Sequence, residues 1–512
     1  MARNQLKTGV VLSYLSQALH ILITLFYTPI MLRLLGQSEF GVYQIVYSVV
    51  GFLSLMNFGF SSSYIKFYTI AKRKDNSQVE IAKLNGSFLV IFLCLAALVL
   101  VLGLWMAINT DYILGGKMSV SELNTAQILM FLLVFNCVTQ FIYVVFINYL
   151  IANEKFIALQ VLNIIVVCLN PCLTFPMLLM GYGSIGMGVA LLSISLFQLL
   201  FGIYYCFTKL RMKFIFRDMK WGIFKDIGIF SFYIFLESVV SLINISLDRF
   251  LLGKLVGSVA AAIYAVGGQI NTLYTTLSTT ISSVFTPRIN RMVEEGNRNK
   301  ELSDLFIKIG KIQFVVLYMI LCGFVIYGRR FMDIWVGKGY EEAYYVALIL
   351  IIPNTINLIQ NVAYEIQRAK YMQKYRSYMW ICVALFNVFI SIFLIQWLGA
   401  SGAALGTGIA WVIGSGFLMN WFYARYVALD VVTFWKEICF MSKGGIVPLV
   451  IGFMLSRFLS ECHISLYFAS MLLFGLIYSA SMYYIGFGNQ DKLLAKDYAY
   501  QFLYKIGFKK LL

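Results

Sequence analysis

Long uncharged runs of apolar residues recur from one end of the chain to the other, separated by short polar stretches in which Lys and Arg collect. A helix needs about 20 apolar residues to cross a hydrocarbon core of roughly 30 Å, and only helices and closed barrels can span it. Runs of this length predict helices, and fourteen can be drawn: 9 to 32, 41 to 64, 85 to 107, 125 to 150, 157 to 180, 185 to 207, 227 to 251, 259 to 285, 312 to 328, 344 to 365, 378 to 397, 402 to 424, 444 to 459 and 464 to 487. Arg3 and Lys7 precede the first run as they would in a signal peptide, but no small-residue cleavage site follows and the run continues to Met31, so it reads as an uncleaved span.

Orientation follows from the basic residues, because short positive loops resist translocation. With the N-terminus inside, the cytoplasmic segments hold 32 of the 40 Lys and Arg residues, and eight remain outside or at outer helix ends. Fourteen spans with both termini cytoplasmic are expected. Two short matches suggest an internal repeat: LLGQSEFGVY (34–43) with LLGKLVGSVAAAIY (251–264), and GSIG (183–186) with GASG (399–402), at glycine offsets of 217 and 216. The expected organisation is an all-α membrane protein with a six-helix lobe over 1–208, a cytoplasmic loop at 209–226, a second six-helix lobe over 227–425, and two extra helices with a cytoplasmic tail at 426–512. An even number of spans per unit makes the lobes parallel, and substrates of such proteins usually bind in a cavity between them.

Ionisable residues inside a span are costly, and they normally face a bundle interior or water. In the seventh span Glu237, Ser241, Asn244 and Asp248 fall on one helical face, with Glu237 near mid-bilayer. Ser13, Gln17, His20 and Thr24 share a face of the first span, Asn271, Thr275, Ser278 and Ser282 of the eighth, and Asn354, Asn357, Asn361, Glu365 and Arg368 of the tenth. One reading is a hydrophilic cavity open to one side at a time, with Glu237 and His20 as candidates for proton coupling. The other is that the polar groups tie helices together by hydrogen bonds of about 0.6 kcal/mol each, that Glu237 is ion-paired, and that Asp248 and Arg249 neutralise each other.

Composition narrows the classes further. Of 512 residues, 61% are hydrophobic and only 12% charged, so the net charge of +17 reflects the bilayer rather than nucleic acid. With nine cysteines, no CxxC and two histidines, neither a disulfide framework nor a metal site is expected. There is no GxxxxGK[ST], and the outside loops are short, the longest at about 108–124 and 329–343, so none is equipped as the exposed catalytic loop of a membrane glycan polymerase or ligase. The chain reads as a transporter, not an enzyme, with no cofactor beyond a proton or sodium gradient.

Several segments carry a family likeness: LLGQSEFGVY, NFGFSSSYIKFY (57–68), IANEKF (151–156) and GYGSIG (181–186) in the first half, and SFYIFLES (231–238), LDRFLLGKLVG (247–257), AIYAVGGQI (262–270), FTPRI (285–289), FMDIWVGKGYEEAY (331–344) and WLGASGAALGTG (397–408) in the second. They resemble the Wzx-type polysaccharide flippases, of a superfamily that also holds multidrug extruders and lipid II flippases. The resemblance implies two six-helix lobes around a central cavity, often with two extra helices. It also implies a bacterial cytoplasmic membrane protein that flips an undecaprenyl-pyrophosphate-linked oligosaccharide repeat unit for capsule, O-antigen or exopolysaccharide, by alternating access. Its partners would be that lipid-linked sugar, membrane lipid, and a polymerase and glycosyltransferases of the same pathway. Family members often carry Asp where this chain has Asn57, and a basic residue where it has Lys66. Pyrophosphate calls for Arg or Lys, and the candidates are Arg33, Lys66, Arg249 and Arg368, with ordinary positive-inside anchoring as the other reading for Lys66 and Arg368. A cation-coupled multidrug extruder or a lipid II flippase of the same superfamily is the alternative transporter.

Overall fold

Among the described residues the apolar runs fold as helices and no strand occurs. The computed structural model describes residues 2–216, 235, 238–240, 242–296, 298–458, 464–489 and 491–493. Its helices of eight residues or more are α1 (Ala2–Leu53), α2 (Phe60–Lys72), α3 (Ser77–Ile108), α4 (Val120–Ala152), α5 (Phe156–Leu179), α6 (Gly183–Thr208), α7 (Asp248–Leu255), α8 (Ser258–Ser283), α9 (Thr286–Glu294), α10 (Asn299–Trp335), α11 (Glu341–Leu358), α12 (Asn361–Ala369), α13 (Gln373–Trp411), α14 (Val431–Ser442), α15 (Ile446–Phe458) and α16 (Ile464–Ser481).

Among the described residues, nine helical stretches are long and apolar enough to cross a membrane, or ten when the bent pair α11 and α12 counts as one span. Two of them, Val11–Asn57 and Gln373–Val427, contain 47 and 55 residues. At 1.5 Å per residue they would measure about 70 and 80 Å, more than twice the hydrocarbon thickness. Each is interrupted by a left-handed glycine, Gly36 (φ 75°) and Gly399 (φ 56°), where the hydropathy pattern divides two spans. Only glycine adopts this backbone without a Cβ penalty. Gly183 (φ 53°) matches Gly399 as the repeat predicts, whereas the positive-φ glycine between α7 and α8 is Gly257 (φ 129°). Gly253 is instead buried inside α7, so the hairpin counterpart of Gly36 lies four residues beyond the one the sequence match selects.

Contacts group the chain into two units. The first comprises residues 1–266, 335–346 and 377–407. Its centre is aromatic: Tyr64, Phe88 and Phe92 are fully buried, and the Tyr64 hydroxyl donates to Asn85 Oδ1 at 2.6 Å. Val101, Ile108 and Leu200 point outward, as a lipid-facing surface requires. The α4 helix begins earlier than the apolar run because Ser119 and Glu122 form a reciprocal capping box.

The second unit comprises residues 267–334, 347–376 and 408–512. Here the thirteenth span departs from the sequence reading. Residues 425–443 were expected as a loop, yet helix runs from Val431 to Arg457 with a short 3₁₀ turn at Lys443–Gly445. Asp430 caps it by accepting the Thr433 amide at 3.0 Å, and the Thr433 side chain together with this amide holds its carboxyl below the usual aspartate range. The first three turns bury Phe434, Ile438 and Met441, an i, i+4, i+7 stripe that a search for uninterrupted apolar runs passes over. Phe434 stacks on Phe306 of α10, ring centroids 4.3 Å apart, and Lys311 of α10 bridges Glu437 and Asp491, both at 2.7 Å.

Candidate functional site

Among the described sequence candidates the most enclosed carboxylate is Asp248, at the start of α7 in the first unit. A π-helical turn over Ile243–Leu247 precedes it, a feature frequent at functional sites. Asp248 is 2% exposed. Its Oδ2 accepts the Tyr264 hydroxyl at 2.6 Å and the Thr407 hydroxyl at 2.7 Å. Behind Thr407, Asn387 donates its amide to Thr407 Oγ1 at 3.2 Å, and Ser391 donates to Asn387 Oδ1 at 3.0 Å. Four spans of the chain's second half, the seventh, eighth, eleventh and twelfth, therefore converge on one buried anion. Burying a charge costs several kcal/mol, and donors from neighbouring helices are what keep it tolerable.

This geometry revises two expectations. Asp248 is enclosed by hydroxyls and does not line a wetted wall. Nor does a direct ion-pair contact join it to Arg249 among the described residues, although the two opposite charges attract: successive residues on a helix point about 100° apart, and Arg249 donates to Gln44 Oε1 of α1 at 3.1 Å. Glu237 and Ser241 lie outside the described residues, and Asn244 is described only as part of the π-helical turn. Tyr264, Asn387, Ser391 and Thr407 were not singled out from the sequence, although Asn387 and Ser391 form an i, i+4 polar pair in an apolar span.

A second group of contacts joins the two sequence halves at the ends that the charge pattern places outside. Trp335 Nε1 donates to the Leu25 carbonyl at 2.7 Å, and Gln37 Nε2 to the Gly339 carbonyl at 2.6 Å. Glu122 Oε1 accepts from Ser38 at 2.6 Å and from Ser258. Alongside these, Gly41 of α1 packs so closely on α8 that a Cβ there would fall on the Ser258 carbonyl.

In the second unit the polar faces of the eighth and tenth spans meet each other. Asn354 donates to Asn271 at 2.9 Å and to Thr275 at 3.0 Å. Ser278, 0% exposed, donates to the Leu358 carbonyl at 2.9 Å and accepts from Asn361 and Gln313, each at 3.0 Å. Leu358 ends α11 just before the 45° bend to α12, so Ser278 occupies a carbonyl that the break would otherwise strand in a low-dielectric interior. The bond of Asn361 thus ties its helix to α8. Ser278→Ala removes these partners together and is expected to lower stability by about 1–3 kcal/mol, read as a fall in the melting temperature of the purified protein in detergent; an unchanged melt would contradict the repair role.

Other candidates are dispersed. Arg33, Lys66, Arg368 and His20 are exposed and Glu365 is half-buried; Lys66 lies 5.9 Å from the Phe67 ring centroid. Near Arg368, Lys370 is committed to the protein, donating to Asn299 Oδ1 and the Val427 carbonyl, both at 2.8 Å, and burial holds its ammonium below the usual lysine range. Arg368 is thus the more available cation of that segment. No group of three or more metal-ligating side chains occurs among the described residues.

Comparison with known proteins bears on both fold and family. The profile of a family described as "Polysaccharide biosynthesis protein" matches residues 6–293. A protein of Shigella flexneri named "Putative O-antigen transporter" is 23% identical over 403 residues, covering 77% of this chain and 91% of its own length. Among solved structures, the lipid II flippase MurJ in an inward closed conformation is similar with a TM-score of 0.72 at 16% identity, over 93% of this chain and 97% of MurJ. An inward-facing multidrug resistance transporter of the MATE family is similar with a TM-score of 0.65 at 14% identity, over 82% of this chain and 98% of the other. The chain has the all-helical fold of these superfamily transporters.

Proposed function

Since the chain belongs to the polysaccharide biosynthesis protein family, we propose that it is a flippase for an undecaprenyl-pyrophosphate-linked oligosaccharide repeat unit in the bacterial cytoplasmic membrane. The observation that carries this reading is the alignment with the Shigella flexneri O-antigen transporter homologue along nine-tenths of that protein. The physical problem fits the fold. A sugar headgroup cannot enter hydrocarbon, because each unpaired polar group there costs several kcal/mol, so it needs a polar path that opens to one leaflet at a time while the lipid tail stays in the bilayer. In this reading no covalent bond is made or broken, and both termini are cytoplasmic.

The roles divide by location. Hydrogen bonds of Gln37, Glu122, Ser258 and Trp335 hold the outer side closed while the substrate enters from inside. Exposed Arg368 and Lys66, at inner helix ends, receive the pyrophosphate, and Arg249 and Arg33 lie further along. Asp248 is the coupling carboxylate: a proton or sodium ion arriving there competes for its Tyr264 and Thr407 bonds and loosens the four spans they tie. Deleting the gene is expected to abolish surface polysaccharide and to accumulate the lipid-linked repeat unit in the inner leaflet. Accumulation of unpolymerised units already in the outer leaflet would instead mark a polymerase or ligase.

A further inference from the structure

Few basic residues lie outside by the charge count, yet Arg329, Arg330 and Arg457 fall at adjoining helix ends in the second unit. The last turns of α10 present Tyr327, Arg329, Arg330 and Asp333 to a cavity of about 480 Å³ that Tyr467 and Ser470 of α16 close from the other side. Its walls are fixed. The Tyr467 hydroxyl donates to the Tyr327 carbonyl at 2.9 Å, and the Tyr327 hydroxyl donates to the Ser470 carbonyl at 3.3 Å. The Arg330 guanidinium lies 5.3 Å from the Tyr467 ring centroid, which orients its planar fork.

The charges in this cavity follow an unusual pattern. Arg329 and Asp333 are one turn apart, a register in which ion pairs commonly form, yet no ion pair joins them among the described residues, and both are exposed. Two guanidinium groups and a carboxylate thus line one space of a size ordinary for small-molecule sites. Guanidinium pairs bind phosphate oxygens bidentately, and a carboxylate without an ion-pair partner among the described residues favours an ammonium. Immediately beside the cavity, α15 and α16 expose Phe453, Phe468 and Leu472, a surface suited to acyl chains. Mere interfacial anchoring of arginines needs neither a cavity nor the acid.

We propose that this cavity binds the headgroup of an aminophospholipid of the surrounding bilayer, its phosphate on Arg329 and Arg330 and its primary ammonium on Asp333. The site stands apart from the flippase reading and does not depend on it. Phosphatidylcholine carries the same phosphate but no ammonium hydrogen, so it isolates the Asp333 contact; phosphatidylglycerol and inorganic phosphate isolate the anion.

The test measures thermal protection of the purified full-length protein in detergent against lipid concentration, with lipid retention in native mass spectrometry as a second readout. Phosphatidylethanolamine is expected to protect at about tenfold lower concentration than phosphatidylcholine, the ratio that one charge-assisted hydrogen bond supplies. Asp333→Asn should bring the two lipids close to parity, and Arg329→Gln with Arg330→Gln should remove protection by both. Equal protection of the wild-type protein by the two lipids overturns the proposal without recourse to any variant. So does protection by inorganic phosphate as strong as that by lipid, which would mean a simple anion site, or a double arginine variant that keeps the full preference.

Discussion

Asp248→Asn is expected to leave the protein in the membrane at normal levels and to cut export of repeat units roughly ten- to hundredfold, the range opened by losing one charge-specific interaction of about 1.5–3 kcal/mol. Asparagine keeps an oxygen where Oδ2 now receives Tyr264 and Thr407, so the hydrogen-bonded frame persists while the ability to take up a cation is lost. Asp248→Ala is the contrasting case. It strands the buried Tyr264 hydroxyl, at about 1–3 kcal/mol, leaves Thr407 only its contacts with Asn387, and should depress the melting temperature as well as export. If the asparagine variant exports repeat units at the wild-type rate, Asp248 is a structural anchor and coupling lies elsewhere, with Glu237 next in line.

The second large effect concerns closure of the outer side. A side chain at Gly41 would occupy the position of the Ser258 carbonyl, and backbone, unlike a flexible side chain, can make room only by moving the helix. Gly41→Val should therefore hold α1 and α8 apart and weaken the neighbouring bond between Glu122 and Ser258. Export is expected to fall about tenfold or more. A cysteine placed near Gln37 should become more accessible to a membrane-impermeant thiol reagent added from outside. Gly475→Ala serves as the control, since a Cβ there meets nothing. Wild-type export by the valine variant would mean that this contact is not remade during transport.

What the sequence could announce was decided by local physics. Spans appear as apolar runs because each must satisfy the bilayer by itself, and the glycine turns at Gly36 and Gly399 appear because only one residue type suits their backbone. Asp248 stands out for the same reason: a charge in a span is rare. Its partners do not, since Tyr264, Asn387, Ser391 and Thr407 are unremarkable until four spans converge. The polar faces of the eighth and tenth spans illustrate the limit from the other side. Helical phase correctly put Asn271, Thr275 and Ser278 on one face and Asn354 and Asn361 on another, but whether such faces meet water or each other depends on packing that no single helix encodes. The amphipathic α14 escaped for a third reason, its apolar residues being spaced by helical period and not gathered in a run. Glu122, read as part of an outside loop, gained its place only when Ser38 and Ser258 were brought to it by the fold.

The central claim is translocation itself, and reconstitution measures it directly. Purified protein in vesicles, given an undecaprenyl-pyrophosphate-linked repeat unit labelled in its sugar, should move the label between leaflets at a rate well above protein-free vesicles, read by the fraction open to an external sugar-modifying enzyme. Lipid II under the same conditions should move more slowly, and Asp248→Asn should approach the protein-free rate. A rate equal to that of protein-free vesicles under either ion gradient, from protein verified as folded, would contradict the account.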